Sequence, residues 1–168
     1  MLRGDALKLP FDDDINTDYI ISGRYKFHIQ DPVELSRHIF EDIDNDFYNR
    51  VKKGSFLVAG KNFGMGSSRE QAPLALKAAG ISAIIAKSFA RIFYRNSFNI
   101  GLALVECDTS NIEQGDQLVV DLDQGLLKDI TKNIEIKISV LPPTMKRLLE
   151  DGGAIEHFKK YGGFEFGP

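Results

Sequence analysis

Cysteine is nearly missing from this sequence: Cys107 stands alone among 168 residues. A single thiol excludes an internal disulfide framework and any cysteine-only metal site within one chain. An iron–sulfur cluster needs several thiolates, so this polypeptide cannot hold one by itself. The three histidines, His28, His38 and His157, are scattered and lack metal-ligand spacing. Cys107, at the end of an apolar run, reads as a buried small hydrophobe. Long hydrophobic runs are missing too, so nothing is expected to span a bilayer, and Met1-Leu2-Arg3-Gly4-Asp5 does not open a signal peptide. Nor is positive charge in excess: a net charge of -3 gives no electrostatic footprint for nucleic acid, and no basic amphipathic segment asks for a membrane surface. The expected address is the cytoplasm. Repeats, low-complexity tracts and a linker are absent, so residues 1–168 read as one domain.

What is present describes an ordinary α/β protein, with 43% hydrophobic residues, 27% charged residues and 15 glycines. The length suffices to bury a core without staples. Strands are expected at 4–9, 55–59, 83–86, 103–106, 117–121 and 134–140. Helices are expected at 32–40, with Asp31 as N-cap and proline at the first position, and at 47–51, 89–99, 144–151 and 154–161. Asp123-Gln124-Gly125 reads as a hairpin-like connection, and Gly152-Gly153 as a helix stop. Asp12-Asp13-Asp14 offers three adjacent carboxylates, but the spacing fits no EF-hand and a solvated turn is the reading. Asn16, Thr17 and Asp18 are turn or capping residues on their own chemistry. Of 89–99, Phe89, Ile92, Phe93 and Phe98 read as core, and Arg91 and Arg95 as structural or interface residues. The tail 162–168 is glycine-rich with two phenylalanines, either frayed or docked on a partner.

The chemistry concentrates between Lys61 and Glu106. Gly64-Met65-Gly66 delivers Ser67, Ser68, Arg69 and Glu70 to the point where a loop becomes a helix carrying Ala72, Ala75, Leu76 and Ala79. Free N–H groups, a positive dipole end and a bidentate guanidinium there suit a carboxylate or phosphate. Ser67-x-x-Glu70 equally fits a capping box that only satisfies the helix's own N–H groups. Pro73 requires the helix to start nearer Gln71 or to distort its first turn. The order strand, loop, helix, strand, helix implies a parallel crossover, with ligands bound beyond the carboxyl ends of the strands.

DDDINTDYIISGRY, GMGSSREQAPLALKAAG and AKSFARIFYRNSFNIGLALVE, in that order, resemble the small subunit of the isopropylmalate isomerase and homoaconitase family, the separately encoded counterpart of the swivelling C-terminal domain of aconitase. The resemblance implies a swivelling three-layer β/β/α domain with a partly parallel sheet. It implies a hydro-lyase that moves a hydroxyl between adjacent carbons of a malate derivative and is inert without a large subunit. The 4Fe-4S cluster would be held by cysteines of that partner, with no cofactor in this chain. Ser67 matches the family's serine base, Ser68 would support it by hydrogen bonding, and Arg69 would hold a substrate carboxylate. Thr17 and Asp18 match a Thr-Asp pair that contributes to the active site. Met65 departs from the cysteine or glutamate common in related sequences.

The family's substrate-discriminating loop reads here Arg24, Tyr25, Lys26, Phe27 and His28. Phe27 lies where aconitase and homoaconitase carry an arginine for a further carboxylate, and a phenyl ring suits an alkyl substituent. That favours an isopropylmalate-like substrate, while Lys26 and His28 keep homoaconitase and 2,3-dimethylmalate dehydratase open. On residue chemistry alone the loop is a half-buried strand or an exposed turn. Two readings from other classes stand beside these: a stand-alone dicarboxylate-binding module, and a structural module whose serines only cap a helix.

Overall fold

The computed structural model describes residues 1–66 and 70–163. Along the chain lie β1 (Leu2–Lys8), the short helices α1 (Thr17–Ile20), α2 (Gly23–Lys26), α3 (Pro32–Ser36) and α4 (Phe47–Arg50), then β2 (Phe56–Val58), α5 (Gln71–Ala79), β3 (Ala83–Ala86), α6 (Arg91–Asn99) and β4 (Ala103–Glu106). They are followed by β5 (Gln117–Asp121), β6 (Leu126–Asp129), β7 (Ile134–Lys137), α7 (Pro143–Asp151) and α8 (Ala154–Tyr161).

One mixed sheet joins all seven strands in the order β4-β3-β2-β1-β5-β6-β7. β1 to β4 run parallel, and β1 then pairs antiparallel with β5, from which β6 and β7 continue as antiparallel neighbours. Side chains alternate across a strand, and here the alternation sorts them into two cores. Leu57, Ile84, Ala86 and Leu104 face one way, where they meet Leu35, Phe47, Leu76, Phe93 and Phe98 from the helices. Phe56, Val58, Ala83, Ile85, Ala103 and Val105 face the other way and pack with Leu118, Val120 and Leu127 of the antiparallel half. The sheet therefore curls over on itself, giving antiparallel strands, parallel strands and helices as successive layers. Burial on both faces explains why β2 and β3 read as unbroken apolar runs, and β4 as one up to Glu106.

The expected strands and helices are present, with differences that have identifiable causes. The helix expected at 32–40 stops at Ser36, because the chain turns and Phe40 takes φ 55°, donating its N–H to the Ile20 carbonyl at 2.9 Å. Phe40 then packs edge-on against Phe47 at 4.8 Å. The strand expected at 134–140 ends at Lys137. β6 was not anticipated, since it ends in a buried aspartate: Asp129 is 1% exposed, burial pushes its carboxyl up, and Oδ1 accepts the Lys132 N–H at 3.2 Å. Ile92, expected in the core, is 51% exposed on α6.

The loop after β2 is fitted against α6 at Gly64, which has φ +84°, and a Cβ there would lie 2.2 Å from Cγ of buried Phe93. Gly64→Ala is therefore expected to lower the unfolding free energy by about 2–5 kcal/mol, from the left-handed backbone and the overpacking together. Gly115→Ala is the control: φ is +87° there and nothing lies within 4 Å of the added carbon, so about 1–2 kcal/mol is expected. Urea unfolding of the two variants measures the difference.

Candidate active site

The loops leaving the carboxyl ends of β1, β2 and β3 lie side by side, and their backbones are laced together. On one side of the 60–66 segment, Gly60 donates to the Asp12 carbonyl (2.8 Å), Asp14 to Lys61 (2.9 Å), Gly64 to Ile15 (2.7 Å) and Thr17 to Met65 (2.9 Å). On the other, Lys87 donates to Gly60 (2.9 Å), Phe63 to Ser88 (3.0 Å) and Ala90 to Phe63 (2.9 Å). Parallel bridges join Asn16 to Met65 and Phe63 to Phe89. The glycine loop is thus a continuation of the parallel sheet, held on both sides as far as Met65.

The acidic triplet supplies part of that lacing. Asp13 Oδ1 accepts the Lys61 N–H at 2.7 Å, and Asp14 Oδ1 accepts from the Asn62 side-chain amide at 3.2 Å. All three carboxylates are exposed, as a solvated turn requires, but the turn also splices the β1 loop to the β2 loop. Among the described residues, no group of three or more His, Cys, Asp or Glu side chains could hold a metal ion.

Asn16 caps α1 by accepting from the Tyr19 N–H at 3.0 Å, which places Thr17 at its first position. Thr17 is 2% exposed, and its hydroxyl has no hydrogen-bond partner among the described residues. A Cβ on Gly66 would sit 3.4 Å from that oxygen, so the hydroxyl lies against the end of the glycine ribbon. Asp18 is exposed and accepts from the ammonium of Lys26 at 2.7 Å. Ser67, Ser68 and Arg69 lie outside the described residues. Glu70 is the N-cap of α5 and makes no side-chain cap bond, so the helix starts at Gln71. Pro73 then falls in the first turn, where a missing N–H removes no helical bond. Glu70 stands at the cap itself, three residues before the place a capping box assigns to its glutamate.

The segment expected to discriminate substrates, 24–28, opens as a short helix. Ser22 caps α2, and its residues divide between two tasks. Arg24 and Tyr25 turn toward the 38–42 segment: Arg24 pairs with Asp42 at 2.6 Å, and Tyr25 stacks on the His38 ring at 3.9 Å and donates its hydroxyl to Glu41 at 3.1 Å. Burial, and then the bond to Glu41, raise the Tyr25 hydroxyl pKa, while Glu41 is held below its ordinary value first by the bond to His38. Lys26 turns inward instead, with 4% of its side chain exposed. Phe27 is 69% exposed and His28 is exposed. Sequence reasoning missed Gln71, whose Nε2 donates to the Lys26 carbonyl at 3.1 Å. Arg91 and Arg95 are exposed on α6. Cys107 is half-buried against the second core, and burial pushes its thiol up to about 12.

Residues 22–110 match the aconitase C-terminal domain family. The chain is 54% identical over 153 residues to 3-isopropylmalate dehydratase small subunit 2 of Archaeoglobus fulgidus, covering 90% of this chain and 92% of that protein. It is 46% identical over 166 residues to 3-isopropylmalate dehydratase small subunit 1 of Thermotoga maritima, covering 98% of each. The crystal structure of a 3-isopropylmalate dehydratase from Methanocaldococcus jannaschii superposes with a TM-score of 0.90 at 45% identity, covering 96% of this chain and 95% of that one.

Two outcomes follow from the geometry. Thr17→Val removes a buried hydroxyl that has no partner among the described residues, so the isolated chain should be at least as stable, by up to about 1 kcal/mol, in urea unfolding. Glu41, with a depressed folded pKa, contributes stability that is present above its ordinary value of 4.5 and is lost as pH falls through the lower folded value. The stability difference between wild type and Glu41→Gln should therefore shrink on acidification below that value, followed by denaturation across a pH series.

Proposed function

Because the chain belongs to the family of 3-isopropylmalate dehydratase small subunits, built on the aconitase C-terminal domain, we propose that it is the small subunit of a two-subunit hydro-lyase. The enzyme would interconvert 2- and 3-isopropylmalate in leucine biosynthesis, with a large subunit completing the site. The observation that carries this reading is the laced glycine ribbon, which runs past the carboxyl ends of the parallel strands and ends against the buried Thr17 hydroxyl, unpartnered among the described residues.

Dehydration of a malate derivative needs a base to take the proton next to a carboxylate. Ser67 is assigned that role, and water would be added back by the reverse transfer. A free serine is a poor base, so its alkoxide must be stabilised by N–H donors around the loop and by nearby cations. Ser68 contributes a hydrogen bond, and Arg69 holds a substrate carboxylate through two parallel N–H donors while adding positive charge. Thr17 has a hydroxyl to spend on substrate or on the loop, and Asp18 faces the same end of the sheet on α1.

Discrimination falls to α2. A third carboxylate, as in homocitrate, needs a cation, and Lys26 is committed to Asp18 at 2.7 Å. Phe27, 69% exposed, offers a ring to an alkyl group. This supports isopropylmalate over homocitrate; 2,3-dimethylmalate remains the alternative within the same chemistry.

The chain itself does not suit a 4Fe-4S cluster, since Cys107 is its only cysteine and its thiol is pushed up to about 12. The cluster and the second acid–base group are assigned to the large subunit. No helix among the described residues is long and apolar enough to cross a membrane, and the cytoplasm is the proposed compartment.

The test is turnover of 3-isopropylmalate, homocitrate and 2,3-dimethylmalate by the chain mixed anaerobically with its cluster-loaded large subunit. We expect 3-isopropylmalate to be turned over, and Ser67→Ala to lower kcat by about 10²–10⁴-fold, the usual worth of a positioned acid or base, with the complex still formed. Full activity in Ser67→Ala would remove the base assignment, and turnover of another substrate alone would rename the enzyme.

A further inference from the structure

Gln71 opens α5 directly after Glu70, and its side chain reaches away from its own helix. Its Nε2 donates to the backbone carbonyl of Lys26, 45 residues earlier in the chain, at 3.1 Å. Its Oε1 is buried and has no hydrogen-bond partner among the described residues. A buried amide oxygen left unpaired opposes folding, so packing alone gives this side chain little reason to be an amide.

Lys26 is held at its other end as well. Its ammonium lies 2.7 Å from Asp18 Oδ1, with 4% of the lysine side chain and 72% of the aspartate side chain exposed. Three elements therefore converge on one residue: α5 through the Lys26 carbonyl, α1 through its ammonium, and α2 as its own backbone. Arg24 and Tyr25 do not share this link, being tied to Asp42 and Glu41. α2 has four residues, too few to keep its conformation by helix propensity. Its orientation is set by such clamps, and the next residue is Phe27.

Resting on the function proposed above, we propose that Gln71 is a positioning residue for substrate discrimination: through the Lys26 carbonyl it fixes the direction in which α2 presents Phe27. One helix start then serves two purposes. The residues just before it, 67–69, carry the proposed chemistry common to all substrates, and its first side chain sets the turn that reads the variable substituent. Gln71 touches neither substrate nor reacting atoms in this account.

The experiment uses Gln71→Leu and Gln71→Glu in the reconstituted complex. The second variant keeps the shape and places a carboxylate in the first turn of a helix, where the dipole favours it, so it should fold even if the first does not. Steady-state kinetics are measured on whichever of 3-isopropylmalate, homocitrate and 2,3-dimethylmalate the wild type turns over. In both variants KM is expected to rise about fivefold or more with kcat within about twofold, the pattern of lost ground-state positioning. Amide hydrogen exchange at Tyr25, His28 and Ile29 is expected to accelerate in both variants and not in Ser67→Ala. Unchanged KM, or a loss of kcat that merely tracks a fall in Tm, overturns the proposal. Unchanged exchange at these amides overturns it too. Accelerated exchange and raised KM in a complex that uses a substrate other than 3-isopropylmalate would uphold the positioning role while refuting the substrate assignment.

Discussion

A loop of glycines has no conformation of its own, and the rest of this structure depends on how that freedom is removed. The 60–66 segment continues the parallel sheet through hydrogen bonds and isolated bridges to both neighbours, without forming a full strand of its own. Its register is fixed by bonds to 12–17 on one side and 87–90 on the other, and Gly64 seats it against Phe93 at a distance no side chain would permit. The curl of the sheet serves the same end. By covering one face of β1 to β4 with the antiparallel strands and the other with helices, it makes the parallel strands rigid where their loops emerge. Rigidity matters here because the proposed base is a serine, whose use depends on donors already in place.

The second constraint is the inward turn of Lys26. A lysine in a short exposed helix ordinarily extends into water, yet this one is buried with its charge on Asp18. A fully exposed pair contributes little to stability, and burial of the lysine partner raises the cost of breaking this one. On the function proposed, its consequence is chemical: the α2 turn shows an exposed aromatic ring where a cation would otherwise stand. Specificity for an alkyl substituent can thus arise by withdrawing a positive charge as much as by adding an apolar surface.

Much of the fold was legible. β3, β4 and α8 lie where apolar runs and glycine stops place them, and α5 begins at Gln71, one of the two alternatives that Pro73 left open. β6 was hidden because a buried aspartate defeats a hydrophobic pattern, and Ile92 misled because an apolar side chain at a helix position carries no sign of which face is covered. Thr17 and Asp18 were singled out for the proposed site only through family resemblance, since Asn-Thr-Asp is ordinary turn chemistry. Gln71 left no trace in the sequence: its bond to a backbone carbonyl 45 residues away is a tertiary fact, and any polar residue would satisfy a helix start equally well.

The proposed function makes the chain half of a site, and binding tests that most directly. Calorimetric titration of 3-isopropylmalate into the chain alone, and then into the chain assembled with its cluster-loaded large subunit, separates a subunit from a self-sufficient module. No measurable heat for the chain alone and saturable binding to the assembly is the predicted result. Saturable binding to the isolated chain, unaltered by the large subunit, would contradict it and identify a stand-alone dicarboxylate-binding protein.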